Sequence, residues 1–232
     1  MSYEAHPTCV TPSDDAVLWR YTELVKFIDL LENRRLWFTR LDRPGDPREG
    51  CLTDLELRQL RDAASPENAE AHLRAVHQTL RQETFVNCWT ERAESMALWD
   101  LHAQSPGGLV IKSTVGRLKQ TINDVPDRIY IARVEYIDWA TAPWPNNVFG
   151  RYVRKVRAFE HEKEVRLMIW LPGSSFPAGA GLDRLHNALR PSLVKLPSVE
   201  RIVWKRMYQA AWDKACSEHA QPNLSVQSTH WV

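Results

Sequence analysis

Cysteine is scarce in this chain, and its four copies, Cys9, Cys51, Cys88 and Cys216, are too far apart for a CxxC pair. The spacing excludes a disulfide framework and a zinc ribbon and leaves reduced thiols that suit a cytoplasm. No stretch of about 18 apolar residues occurs, so no segment reads as a membrane span. The polar run from Met1 to Asp15 has no apolar centre for a signal peptide and reads as a flexible arm. A charge excess is missing too: 30 Lys and Arg stand against 29 Asp and Glu, which leaves no whole-protein field to attract nucleic acid. GxGxxG, P-loop, HExxH and GxSxG strings are all absent. His72 and His77 fall on different faces of a helix, and nothing completes a ligand set around His161 and Glu162, so no metal site is read.

What the chain does have is a full complement of core-forming residues. Hydrophobic residues make up 44% and charged residues 25% of the 232, with ten tryptophans, enough for a sizeable core with aromatic cleft walls. Strands are predicted at Leu18–Tyr21, Leu36–Thr39, Phe85–Thr90, Leu109–Ser113, Ile129–Ile137, Glu164–Trp170, Arg201–Trp204 and Leu224–Thr229. Thr22 reads as the N-cap of a helix, Thr53 and Glu56 as a capping box, and helices are expected near 66–80, 96–103, 115–122, 148–157 and 208–219. Strands and helices of uneven length, with no repeat or linker, predict an α+β fold with mixed or antiparallel sheets. The expected organisation is an arm over 1–15 and one domain over 16–232.

Three places are chemically dense. In Trp19-Arg20-Tyr21-Thr22 an arginine sits inside an apolar strand, where the plainer reading is an edge-strand surface charge. In Asp46-Pro47-Arg48-Glu49-Gly50 two carboxylates flank an arginine in a stiff loop; a self-paired turn is the plain reading, and Glu49 is expected to pair with Arg48, Arg43 or Arg166. In Glu160 to Arg166, an extended chain would put Glu160, Glu162, Glu164 and Arg166 on one face, where carboxylates raise one another's pKa unless a cation is near. The plain reading there is a solvated charge run. Cys88, with no adjacent histidine, reads as a small core residue.

The string LWRYTELVKFIDLLENRRLWFTRLDRPGDPREG, followed by VNCWTE, MALWDLHAQSPGGLVIKS, FEHEKEVRLMIW and PSVERIVWKRMYQAAWDKACSEHAQPNLSVQST, resembles a widespread bacterial family known only as a domain of unknown function. The resemblance spans about Leu18 to Thr229. Gly45 departs from it, standing where that family usually has Asn.

More distantly, a strand with a basic residue and Tyr-Thr, a helix and a strand with a hydroxyl residue resemble the opening of ADP-ribosyltransferase-like domains, which close their site with a Glu-x-Glu at a later strand. That resemblance implies NAD as substrate, Glu164 as the catalytic carboxylate and Glu162 beside it. Arg20 would hold the pyrophosphate or a ribose, Thr39 would shape the pocket, and Tyr21 with Trp99 or Trp89 would pack on the rings. Asp46, Glu49 and Arg166 would form the site loop and its support. The acceptor stays open among protein, nucleic acid and small molecule, and the company such families keep suggests phage defence or a toxin system. The alternative from another class is a non-catalytic nucleic-acid- or protein-binding module, with Arg151, Arg154, Lys155 and Arg157 as a basic strip.

Overall fold

A computed structural model describes residues 3–33, 36–43, 46–63, 66–103, 107–123, 127–173, 201–204 and 225–226. The helix expected at 208–219 and most of the last expected strand lie outside the described residues. In chain order the elements are β1 (Val17–Glu23), α1 (Leu24–Asn33), β2 (Thr39–Arg40), α2 (Asp54–Asp62), α3 (Pro66–Gln82), β3 (Thr84–Thr90), α4 (Met96–His102), β4 (Gly108–Thr114) and α5 (Val115–Ile122). There follow β5 (Ile129–Arg133), β6 (Glu135–Ile137), α6 (Val148–Tyr152), β7 (Arg154–Val156), a 3-10 turn (Arg157–Glu162), β8 (Glu164–Trp170), β9 (Arg201–Trp204) and β10 (Ser225–Val226). The class is α+β. No helix among the described residues is long and apolar enough to cross a membrane.

Eight strands share one sheet in the order β10-β9-β4-β1-β3-β8-β5, with β2 also on β3; β6 and β7 form a separate parallel pair. Alternation sorts the side chains by face. Leu18, Phe85, Leu109, Ile111, Val165, Leu167 and Ile169 point into the main core, which α1 closes with Phe27 and Leu30 and α5 closes with Val115, Leu118 and Ile122. Each such side chain, fully buried, contributes about 1.5–3 kcal/mol. Val86, Met168, Tyr130 and Ala132 pack on the opposite face with Leu41, Phe149 and Tyr152, and Tyr21, Leu98 and Val110 form a smaller cluster.

Several local expectations change once long-range pairing is in place. Thr22 is still strand, because β1 pairs with β4 over all seven of its residues and the helix starts only at Leu24. Only Thr39 and Arg40 of the second expected strand are paired. The segment expected as a flexible arm is tied along β5 from residue 3 onward: Tyr3 bridges Ile129, Thr11 Oγ1 donates to the Ile131 carbonyl at 2.6 Å and Arg133 N–H donates to the Val10 carbonyl.

The helix expected at 148–157 stops at Tyr152 and gives way to β7 and the 3-10 turn. The basic strip imagined on it therefore does not form. Arg151 binds Glu56 with both terminal nitrogens at 2.7 Å, Arg154 pairs with Glu135 at 2.8 Å, and Lys155 points inward. Phe149 and Tyr152 of α6 are buried.

Glu56 closes the Thr53 capping box, as the sequence pattern predicts, and Arg151 also reaches the Cys51 carbonyl at 2.8 Å. One buried pair thus locks loop 51–53 and α2 to α6. Glu56→Gln keeps the capping geometry but leaves Arg151 uncompensated. It should lower unfolding free energy by about 3–5 kcal/mol, and Glu56→Gln with Arg151→Met should recover much of the loss in urea unfolding.

Candidate active site

The central strand β3 has one exposed residue among six buried ones, and it is Cys88. The register explains the opening. β8 pairs with the whole of one edge of β3, Thr84 to Thr90. On the other edge, β2 pairs with Phe85 and Val86, and β1 meets β3 only where Trp19 faces Thr90. Among the described residues, Asn87, Cys88 and Trp89 have no strand partner on that edge, about 10 Å of strand. The result is a window in the sheet, bounded by β1, β2 and β3.

A buried ion cluster stands beside this window. Arg166, opposite Cys88 in the register, binds Glu164 through Nε at 2.5 Å and Nη2 at 3.1 Å, Glu49 through Nη2 at 2.9 Å, and the Tyr152 carbonyl through Nη1 at 2.7 Å. Lys155 Nζ lies 3.1 Å from Glu49, 2.6 Å from Glu162 and 2.8 Å from Glu164. Three carboxylates thus share two cations. Burial pushes the Glu164 carboxyl up, but Arg166 and Lys155 outweigh it and hold it well below the usual range. Glu162 differs: burial prevails over Lys155 and its carboxyl is raised. Burial also opposes charge on Lys155, yet Glu164, Glu49 and Glu162 keep it firmly protonated.

Backbone geometry aims the two glutamates at one lysine. The expected extended run with Glu160, Glu162, Glu164 and Arg166 on one face does not form, because 157–162 is a 3-10 turn. Lys163 then takes a left-handed conformation, φ 41°, ψ 51°, an uncommon state for a side-chain-bearing residue. Glu160 turns outward to Lys163 at 3.0 Å, whereas Glu162 and Glu164 both face Lys155. Thr90 Oγ1 donates to the Glu162 carbonyl at 2.5 Å, and the Glu164 N–H donates to Tyr136 Oη at 2.8 Å.

The residues singled out from sequence fall unequally around this site. Pleat alternation starts Arg20 on the Leu18 and Ile111 side, opposite Glu164, but its guanidinium comes within electrostatic range of Cys88 and of His102, which also senses Glu164. Arg20 Nη1 is buried with no hydrogen-bond partner, and no carboxylate pairs with Arg20 among the described residues. Burial draws its pKa down to about 10. Tyr21 and Trp99 meet edge to face at 5.1 Å beside β1. Thr39 sits opposite Val86, at the far end of the window, four residues of β3 or about 13 Å from the Thr90–Glu164 level. It does not join Arg20 and Glu164. Trp89 is buried in the main core with its indole N–H on Asn87 Oδ1 at 2.7 Å, so it is no cleft wall. Glu49 pairs with Arg166, one of its three expected partners, and Asp46 Oδ1 caps the Arg48 N–H at 2.9 Å within the same loop.

Sequence reasoning missed Thr90, Lys155, Tyr136 and the exposure of Cys88. Cys88 is not the core residue expected: it is open to solvent while the walls around it, through burial and then Glu164, push its thiol well above the ordinary range. An exposed thiol this hard to ionise is a poor nucleophile. It marks the floor of an opening.

Lys155→Met should cost about 3–5 kcal/mol at pH 7, because three buried carboxylates would face one arginine. A depressed carboxyl such as Glu164 adds stability that is present above its unfolded pKa and lost as pH falls through its folded one. A raised one such as Glu162 does the reverse and gains by taking a proton. The deficit of the variant should therefore shrink when the pH is lowered from neutral to mildly acidic, as Glu162 takes up a proton. Urea unfolding of both proteins at the two pH values measures it; a deficit independent of pH would assign Lys155 to packing alone.

No family model matches the chain, which leaves the bacterial-family resemblance resting on the quoted strings, and no curated protein matches it. Among solved structures, the chain is similar to "Thermus sp. 2.9 DarT in complex with ADP-ribosylated ssDNA", at 8% identity and TM-score 0.41, over 94% of this chain and 97% of that one.

Proposed function

We propose that the window between β1 and β3 is the NAD site of an ADP-ribosyltransferase-like enzyme. One observation carries the reading: Arg20, a cation without a carboxylate partner among the described residues, and Glu164, a carboxylate held ionised, stand on β1 and β8, the strands on either side of β3 and its exposed Cys88. The ligand that satisfies both has an anionic part and a part that develops positive charge. NAD fits, with its pyrophosphate toward Arg20 and its nicotinamide-bearing ribose toward Glu164.

In the reaction the bond between ribose C1′ and the nicotinamide nitrogen breaks, and its electron pair leaves with nicotinamide. Positive charge grows on the ribose, where the fixed Glu164 carboxylate stabilises it. The acceptor's nucleophilic atom then bonds C1′ and gives up its proton. Burial leaves Glu164 only 4% exposed, so it acts from the floor by charge, with Lys155 and Arg166 holding it ionised at no cost of reorganisation. Glu162, with its raised carboxyl, is the one suited to take the acceptor's proton. Tyr21 and Trp99 supply the aromatic wall.

The site geometry also decides which variant tests this best. Glu164→Gln is isosteric, but it would leave Arg166 and Lys155 short of charge and destabilise the fold. Arg20→Met removes a half-buried cation with which none of the described carboxylates pairs. It should melt at or above the wild-type temperature and bind NAD about 10–100-fold more weakly, the value of one lost charge-assisted contact. Calorimetric NAD titration, thermal melting and nicotinamide release check this. Wild type that neither binds NAD nor releases nicotinamide with protein, nucleic-acid and small-molecule acceptors would end the enzymatic reading.

A further inference from the structure

Five strands place one residue each at a single register level across the sheet. Glu164 of β8 faces Thr90 of β3, Thr90 faces Trp19 of β1, Trp19 faces Lys112 of β4, and Lys112 faces the position of Arg201 on β9. Residues directly opposite in an antiparallel sheet share a face. The row therefore runs from the candidate carboxylate through a hydroxyl and an indole to a lysine. Strands are spaced about 4.8 Å apart, which puts Trp19 about 10 Å and Lys112 about 14 Å from Glu164.

Two members of the row have no structural use that accounts for them. Trp19 is only partly buried, at the margin of the Tyr21–Trp99 cluster. Lys112 is half-buried, its ammonium stands 5.4 Å over the Trp19 ring, and no carboxylate pairs with it among the described residues. This differs from Arg151, Arg154, Lys155 and Arg166, each of which is matched by a carboxylate. A partly exposed indole with an unmatched cation over its ring suits a ligand that alternates planar rings with negative charges.

We propose that this row is the acceptor track of the enzyme and that its occupant is a single-stranded nucleic acid, with a base stacked on Trp19 and a phosphate at Lys112. A strand held so leads its neighbouring nucleotide toward Thr90 and Glu164. Stacking on an aromatic with a cation on the backbone is how single strands are held without regard to sequence. The near-neutral chain means that attraction must come from this row rather than from the whole molecule. The transfer step rests on the NAD reading above; binding of the strand does not.

The experiment is fluorescence anisotropy without NAD, using a labelled mixed-sequence single-stranded DNA, the RNA of the same sequence and the corresponding duplex. Wild type should bind at least one single strand more tightly than the duplex, and the comparison of DNA with RNA tells which. Trp19→Ala should weaken binding about 10-fold or more, while Trp19→Phe keeps most of it. Lys112→Gln, a half-exposed change that spares the fold, should weaken binding and reduce the slope of log affinity against log salt by about one. Wild type that binds neither single strand, duplex preferred over single strands, or both Trp19→Ala and Lys112→Gln binding like wild type would overturn the proposal. Modification of a polypeptide by a protein that binds no oligonucleotide would overturn it in favour of a protein acceptor. Nicotinamide release without oligonucleotide binding sinks this inference alone, and oligonucleotide binding without nicotinamide release sinks the enzymatic reading alone.

Discussion

The arrangement around Arg166 and Lys155 is the constraint on which the rest of the site depends. Two cations hold three carboxylates drawn from the 46–50 loop, the 3-10 turn and β8, and Arg166 adds the carbonyl of Tyr152 at the end of α6. Four separate pieces of chain meet there. A cluster of this kind is poor evidence for stability in itself, since taking charges out of water costs several kcal/mol per ion. What it provides is a carboxylate that stays ionised at a fixed place. Gly50 shows how closely the loop is fitted: its φ is +72°, and a Cβ there would come 2.9 Å from Arg81 Cγ.

The distribution of the other charges follows the same logic. Basic residues that look free in sequence are mostly engaged: Arg151 with Glu56, Arg154 with Glu135, Arg133 with Glu91. Nearly equal numbers of acids and bases, 29 and 30, make such pairing possible throughout. An arginine that stands outside the pattern, as half-buried Arg20 does with its Nη1 buried and unbonded, is therefore conspicuous, because a buried polar group without a partner carries a cost that ordinary packing does not repay.

Local chemistry was legible in the sequence wherever local forces decide it. The apolar residues Val165, Leu167 and Ile169 of the expected strand do meet the main core on one face of β8, and Thr53 with Glu56 marked a real capping box. The α5 helix was readable to its ends. Whatever depends on pairing between distant strands was not. Thr22 has the chemistry of an N-cap and sits in a strand because β4 claims its backbone. Lys155 looked like part of a helix face; three buried carboxylates draw it inward from an extended segment instead. Cys88 has the composition of a core residue, and its exposure comes from where β1 and β2 stop pairing, about which the residue itself carries no signal.

That stopping point has a further effect. A sheet normally hides its hydrogen-bonding edges at its two outer strands. Here an edge lies in the middle: between the β2 pairing at Val86 and the β1 pairing at Thr90, the backbone of Asn87 to Trp89 has no strand on one side, and neither has β1 beyond Trp19. The N–H and C=O groups along that inner border belong to the main chain, so no side-chain substitution can delete them. A ligand that paired with them would draw part of its hold from backbone, indifferent to the identity of the residues that carry it.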